Sequence, residues 1–163
     1  MRQILELLER DAQLSHDTIA TMTGLPVAEV SAAIAAWEAS GAIRRYKAVV
    51  NWDAVDDDPT SETVTAFIDV SLAPARGVGF DDVAARIARF DEVRSVHLVS
   101  GSHDLRCTVV ARTIRAVSDF VSQRLSTIDR VRSTATHFVL KTYKRDGDAF
   151  TPQEADHRLP VTP

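Results

Sequence analysis

Apolar residues recur at helical spacing through the first 40 positions of the chain. The aliphatic residues of 3–10 form one stripe, which predicts a first helix. Ser15 is a good N-cap for a second helix, and Pro26 suits the first turn of a third helix that runs to Ser40. Gly24 supplies the left-handed residue that ends the second helix. Three short helices with a glycine turn between the last two predict a helix-turn-helix.

The second half of the chain alternates between strand-like and helix-like patterns. Residues 63–72 place Val64, Ala66, Ile68 and Val70 on one side of a strand, with Thr65, Phe67 and Asp69 on the other. The further predicted elements are a helix over Phe80–Phe90, strands over Val93–Val99 and Leu105–Ala111, a helix over Thr113–Ile128 and a strand over Val131–Tyr143. This βαββαβ order predicts a ferredoxin-like antiparallel sheet with both helices on one face, and so an α+β protein. The uncovered face needs a partner, and a homodimer with stacked sheets supplies it.

A basic segment joins the two halves. Gly41 closes the third helix, and an apolar pattern over Ile43–Val50 predicts a strand that carries Arg44, Arg45 and Lys47. A helix-turn-helix followed by a basic strand is typical of a winged head. We therefore predict a first domain over 1–50, a linker over 51–61 that is rich in aspartate, a second domain over 62–143 and a polar tail over 144–163.

Composition narrows the class of protein. The net charge is −4 and the pI about 5.7, so no global positive field draws the chain to nucleic acid, and any DNA contact depends on a local patch. The single cysteine, Cys107, excludes an internal disulfide and fits a reducing cytoplasm. No stretch approaches the ~20 apolar residues that span a bilayer, and the first residues enter a helical pattern instead of a signal peptide. We expect a cytoplasmic protein without a membrane segment.

Three segments, in this order and spacing, resemble the Lrp/AsnC (feast/famine) family of transcriptional regulators. They are Gly41–Val50, Val99–Leu105 with its Gly-x-x-Asp turn, and Val131–Leu140. The resemblance covers about residues 1–143 and implies a DNA-binding regulator with a RAM-type second domain. It also implies a dimer that assembles further, up to an octamer. The implied effector is a small molecule, typically an amino acid, bound where the second domains meet near the Gly-x-x-Asp turn.

The predicted DNA surface is poor in cations. In a helix-turn-helix reading, the residues that approach the groove or the phosphates are Ser15, His16, Thr18, Glu29, Ser31, Ala32, Arg44, Arg45 and Lys47. The third helix carries two glutamates and no cation, where the family usually places arginine or lysine. Serine and alanine still contact base edges and the thymine methyl, so the segment after Gly41 must supply the phosphate contacts. A degenerate head that binds no DNA is the alternative.

The predicted effector site is centred on the turn of Gly101, Ser102, His103 and Asp104. Its backbone N–H groups suit a carboxylate and Asp104 suits an ammonium group, with hydroxyls from Thr134 and Thr136 on the last strand. A hairpin turn also explains the glycine and the aspartate, so these two residues alone do not decide between a structural turn and a ligand site. The prediction of a ligand site follows from the resemblance.

Few features of the sequence support an enzyme or a metal-binding protein. The chain lacks a nucleophile elbow, a P-loop and a dinucleotide fingerprint, so we predict no catalytic residue and no cofactor. His97, His103 and His137 come without the ligand spacing of a metal site, and none is predicted. One enzyme alternative stays open, because sirohaem decarboxylases look like the same two-domain plan. Such an enzyme would use His97, Arg106 and His137 in a large pocket.

Overall fold

Three helices form the head, defined as Met1–Val50, and the remaining residues, Asn51–Pro163, form the sheet unit. A computed structural model describes residues 1–52, 55, 63–74 and 79–150. The helices of the head are α1 (Arg2–Arg10), α2 (His16–Thr23) and α3 (Val27–Ser40). All three were predicted from the apolar spacing.

The ends of α2 and α3 follow the capping residues of the sequence. The Ser15 hydroxyl accepts a hydrogen bond from the Thr18 N–H at 3.1 Å, which satisfies a donor at the start of α2. Gly24 and Gly41 close α2 and α3 in the left-handed conformation, with φ of 70° and 74°. The apolar stripes of the three helices meet in one small core, whose buried members are Ile4, Ile19, Ala20, Val30 and Ile34. This core holds α2 and α3 as a helix-turn-helix.

The sheet unit has the predicted βαββαβ order. Its strands are β1 (Val64–Leu72), β2 (Val93–Leu98), β3 (Leu105–Ala111) and β4 (Val131–Phe138), and its helices are α4 (Asp81–Ile87) and α5 (Ile114–Phe120). The strands lie in the order β2-β3-β1-β4, and every neighbouring pair is antiparallel. The chain continues from α5 as a π-helical turn over Val121–Leu125, shorter than the single helix predicted to Ile128. The fold is therefore α+β and ferredoxin-like.

One face of the sheet carries the core. Ala66, Ile68 and Val70 of β1 are fully buried there against apolar residues of α4, α5 and β3, as their alternation predicts. The other face, here called the open face, has no helix packed on it within the described part of the sheet unit. It carries polar residues with a few apolar ones, and its middle contains Asp69 and Phe67 of β1. Phe67 is 43% exposed in the single chain.

The predicted strand over Ile43–Val50 is wrong for this chain on its own. Residues 44–50 follow α3 as an irregular segment. A strand needs the N–H and C=O groups of a neighbouring strand, and no strand within the described residues pairs with this segment. The apolar alternation describes the side chains of this segment, but it does not indicate whether a partner strand is present.

The end of the sheet unit also differs from the prediction. The last strand stops at Phe138 instead of Tyr143. The beginning of the predicted polar tail then forms a short hairpin, β5 (Lys144–Arg145) with β6 (Asp148–Ala149). Asp146 and Gly147 both have positive φ, 50° and 98°, as in an Asp-Gly hairpin turn, which was not predicted from the sequence.

Two predicted segments fall mainly outside the described residues. These are the linker over 51–61, of which 51, 52 and 55 are described, and the tail beyond residue 150. No single helix in the described ranges is long and apolar enough to cross a membrane. The bent pair of α2 and α3, with 113° between them, passes that test on length and composition only.

Candidate effector pocket and nucleic-acid interface

A pocket of about 520 Å³ lies beside the turn between β2 and β3. Its lining runs from Leu98 through the predicted turn to His103, and it is completed by Asp69 of β1 and Arg106 of β3. Asp69 and Arg106 lie opposite each other in the β1–β3 ladder, which puts both side chains on the open face. The pocket therefore sits where the β2–β3 turn meets the open face.

The Gly101–Asp104 turn is tied to the end of β1. The Asp104 N–H donates to the carbonyl oxygen of Val70 at 3.0 Å, and its carboxylate accepts from the Leu72 N–H at 2.7 Å. Gly101 has a φ of 133°, a conformation that disfavours any side chain. Asp104 thus fixes the turn against β1. One oxygen of its carboxylate, which was predicted to bind an ammonium group, is occupied by this hydrogen bond.

A buried carboxylate marks the floor of the pocket. Asp69 is only 3% exposed, and each of its oxygens accepts a hydrogen bond from the Arg106 guanidinium, at 2.7 and 2.8 Å. This paired geometry is the strong form of a carboxylate–arginine contact. The hydrogen bonds from Arg106 hold the pKa of Asp69 below its usual value, although burial opposes the shift. The same pair raises the pKa of Arg106, so both groups stay charged at neutral pH.

Two histidines complete the group around Asp69. The His137 Nε2 lies 3.4 Å from the Asp69 carboxylate, and the His103 Nδ1 lies 3.8 Å from it. His103 also shares a 3.0 Å hydrogen bond with the Ser102 hydroxyl. Within the described residues no group of three histidine, cysteine or acidic side chains is placed to hold a metal ion. The cluster thus places one arginine and two histidines around a single carboxylate.

Replacing Asp69 by asparagine is expected to lower stability at neutral pH more than at acid pH. The folded-state pKa of Asp69 is lowered, so its contribution is complete above the unfolded pKa of about 3.9 and is lost as the pH falls through the lower folded value. Urea unfolding of both proteins at pH 7 and pH 3 measures the difference. An equal or larger difference at pH 3 would contradict the assignment.

The other predicted effector residues are placed differently. Thr134 and Thr136 lie opposite Val70 and Ile68 in the β1–β4 ladder, on the helix-covered face, and they do not line the pocket. The structure thus brings Gly101, Ser102 and His103 together with Asp69 and Arg106 instead of with the two threonines. Asp69, which lines the pocket, was not among the residues predicted for the site. A charged residue in the middle of an otherwise apolar strand pattern was the available signal.

The head presents most of its predicted DNA surface to solvent. Glu29 and Ala32 of α3 are exposed, as are Ser15, His16 and Thr18 at the start of α2. Ser31 is half-buried, and its hydroxyl lies 2.8 Å from the His16 Nδ1. This contact brings the beginnings of α2 and α3 together, as a shared contact surface requires.

The basic segment after α3 is held near the end of that helix. The Tyr46 hydroxyl donates to Glu38 at 2.9 Å, and the Arg44 guanidinium lies 3.4 Å from where a side chain on Gly41 would begin. Arg44, Arg45 and Lys47 are all exposed. Over residues 1–55 the sequence has five arginine or lysine residues against seven acidic ones, so these three are the main local source of positive charge. Neither α2 nor α3 contains an arginine or lysine.

Both the head and the sheet unit of this chain are similar to known proteins. Residues 65–149 match the family model of the Lrp/AsnC ligand binding domain. The chain is 47% identical over 161 residues to an uncharacterized HTH-type transcriptional regulator, YugG, of Bacillus subtilis, and the match covers 99% of this chain and 95% of that one. The likeness therefore extends through the helix-turn-helix as well as the sheet.

Solved structures show the same architecture. The leucine response regulatory protein LrpA of Mycobacterium tuberculosis superposes with a TM-score of 0.71 at 26% identity, covering 91% of this chain and 95% of that chain. A feast or famine regulatory protein of M. tuberculosis, complexed with L-methionine, gives a TM-score of 0.69 at 27% identity, with 92% and 96% covered. Similarity over nearly the full length includes both the head and the sheet unit.

Proposed function

The chain belongs to the Lrp/AsnC family, and we propose that it is a DNA-binding transcriptional regulator whose assembly is modulated by a small effector. The observation that carries this proposal is the 47% identity, over nearly the whole chain, to a helix-turn-helix regulator. The relatives and neighbours reported above are transcriptional regulators, so the chain is not an enzyme and the sirohaem decarboxylase alternative is set aside. The expected location is the cytoplasm.

The proposed effector is an amino acid. One solved neighbour is complexed with L-methionine. Gly101, Ser102 and His103 line the pocket, and we assign their backbone N–H groups to the carboxylate of the effector. We assign Gly101, Ser102 and His103 to this site, with Asp104 holding the turn in place. Thr134 and Thr136 lie outside the pocket in the single chain, and we leave them out of it.

The proposed DNA surface combines two sets of residues. Arg44, Arg45 and Lys47 contact phosphates, which gives affinity without sequence preference. The residues that approach the major groove lie at the beginnings of α2 and α3, and all but Ser31 are exposed: Ser15, His16, Thr18, Glu29, Ser31 and Ala32. Because so few cations serve each head, affinity depends on several heads binding one DNA molecule.

The proposed assembly is a homodimer formed through the open face, which can associate further to an octamer. Phe67 supports this, since an aromatic side chain in the middle of a sheet face gains stability when a second copy covers it. An effector that binds one assembly better than another shifts the equilibrium between them by its difference in affinity. That shift changes the number and spacing of heads available to DNA.

Sedimentation velocity with and without a mixture of the twenty amino acids tests this mechanism. The expected result is a species larger than the monomer in both samples and a change in the distribution of assemblies when the mixture is added. Identical distributions, at protein concentrations that span the assembly equilibrium, would contradict regulation through assembly. A monomer under all conditions would contradict the dimer.

A further inference from the structure

A hydrogen bond between the His16 imidazole and the Ser31 hydroxyl connects the two helices of the proposed DNA surface. His16 is the first residue of α2, Ser31 lies in the second turn of α3, and the His16 Nδ1 is 2.8 Å from the Ser31 Oγ. The two residues are 15 positions apart in sequence, so the contact depends on the packing of α2 against α3. Each side chain therefore restrains the orientation of the other.

The neighbouring hydroxyls are already engaged at the start of α2. The Ser15 Oγ accepts from the Thr18 N–H at 3.1 Å and lies 2.8 Å from the Thr18 Oγ1. His16 is exposed, and no hydrogen bond or ion pair within the described residues uses its Nε2. That nitrogen is thus available to a DNA molecule that lies across the beginnings of the two helices.

The chemistry of a DNA phosphate fixes the direction of the hydrogen bond between His16 and Ser31. Phosphate oxygens only accept hydrogen bonds, so an imidazole that contacts one through Nε2 needs its N–H there. A neutral imidazole has a single N–H, which leaves Nδ1 as an acceptor. The Ser31 hydroxyl must then donate its one hydrogen to His16, and it can offer only lone pairs to a base.

A hydroxyl that can only accept distinguishes the bases in the major groove. Adenine N6 and cytosine N4 carry amino groups that donate there, whereas guanine presents only acceptors and thymine an acceptor and a methyl group. We propose that His16 is a positioning residue for base recognition. Its Nε2–H binds a phosphate at the edge of the groove, and its Nδ1 orients Ser31 to accept a hydrogen bond from the amino group of an adenine or a cytosine. The inference rests on the proposed DNA-binding function and adds the chemical group that Ser31 recognises.

A double-mutant cycle of His16→Ala and Ser31→Ala tests the coupling between the two residues. Anisotropy at pH 8, which favours neutral histidine side chains, compares the upstream DNA with a scrambled duplex. We expect each single substitution to reduce the preference for the upstream DNA about three- to tenfold, the worth of one hydrogen bond. The double substitution should reduce it no further than Ser31→Ala does, because Ser31 acts only when His16 orients it.

The phosphate contact of His16 has a separate signature. His16→Ala should also weaken binding to the scrambled duplex while keeping the slope of log affinity against log salt, since a neutral donor neutralises no phosphate. A smaller slope would overturn the neutral donor. Ser40→Ala is the matched control for Ser31→Ala, because it removes a hydroxyl from the other end of α3, where it donates to the Trp37 carbonyl oxygen at 3.2 Å. This control should keep the preference.

Base analogues identify the recognised atom with the unaltered protein. Selection from randomised duplexes by the wild-type chain and by Ser31→Ala locates the base pair whose preference depends on Ser31. Removing the amino group there, with purine for adenine or pyrimidin-2-one for cytosine, should weaken wild-type binding about three- to tenfold more than binding of Ser31→Ala. The variant corrects for the weaker base pairing of the analogue. An equal loss in both proteins would overturn the proposal.

The outcomes separate this inference from the proposed function. Specific binding by the wild type, with losses from His16→Ala and Ser31→Ala that multiply in the double variant, would overturn the coupling and leave the regulator in place. No binding of the wild type to either duplex at low salt would overturn both.

Discussion

Replacing Arg44 and Arg45 together by alanine is expected to weaken binding to every DNA sequence by a similar factor, roughly tenfold or more at low salt. Both side chains are exposed in the segment that follows α3, and neither α2 nor α3 supplies an arginine or lysine. On the proposed DNA surface, the substitution removes two groups assigned to phosphates and keeps the residues assigned to the bases. The slope of log affinity against log salt should fall by about 0.9 for each phosphate that is no longer neutralised.

Fluorescence anisotropy with the chain's own upstream DNA and a scrambled duplex measures this prediction. The matched control is Arg89→Ala with Arg112→Ala, which removes the same charge from exposed positions of the sheet unit. The control should keep most of the affinity. A loss confined to the upstream DNA would mean that Arg44 and Arg45 read bases instead of phosphates.

Replacing Ile68 by alanine is expected to destabilise the sheet unit by about 2–5 kcal/mol. Ile68 is fully buried in the middle of β1, with Cys107 of β3 opposite it on one side and Thr136 of β4 on the other. The deleted atoms lose their burial and leave a cavity between the sheet and its helices. This is a large part of the ~5–15 kcal/mol that stabilises a typical domain.

Urea unfolding monitored by far-ultraviolet circular dichroism measures the effect of the Ile68 substitution. Ile114→Ala is the matched control, because the same atoms are removed from a side chain at the start of α5 that is 57% exposed. The control should change the free energy of unfolding much less. Equal losses at the two positions would contradict the assignment of Ile68 to the central core.

The fold could be predicted because its signals are local. The alternation of Ala66, Ile68 and Val70 gave the buried face of β1, and the glycines at 24 and 41 gave the ends of α2 and α3. Each signal depends on residues close together in sequence, and the order of the elements then limits the topology. The antiparallel arrangement of the four strands followed from that order.

The pocket could be predicted only in part because its key contacts are distant in sequence. The turn of Gly101–Asp104 was visible as a motif, but the pairing of Asp69 with Arg106 depends on the register between β1 and β3. A shift of one residue would place these side chains on opposite faces. The strand pattern likewise did not say which face the register gives Thr134 and Thr136, which lie away from this pocket. The prediction of a strand over Ile43–Val50 was wrong because a strand requires a pairing partner, which the local apolar pattern cannot identify.

The central claim is that this cation-poor head binds DNA in a sequence-specific way. The most direct test is anisotropy of the purified wild-type chain with its own upstream DNA and with a scrambled duplex, each at two salt concentrations. We expect tighter binding to the upstream DNA at both concentrations, and weaker binding to both duplexes at the higher salt. No binding at low salt, with or without amino acids, would contradict the regulator and leave the head as a packing or protein-contact module.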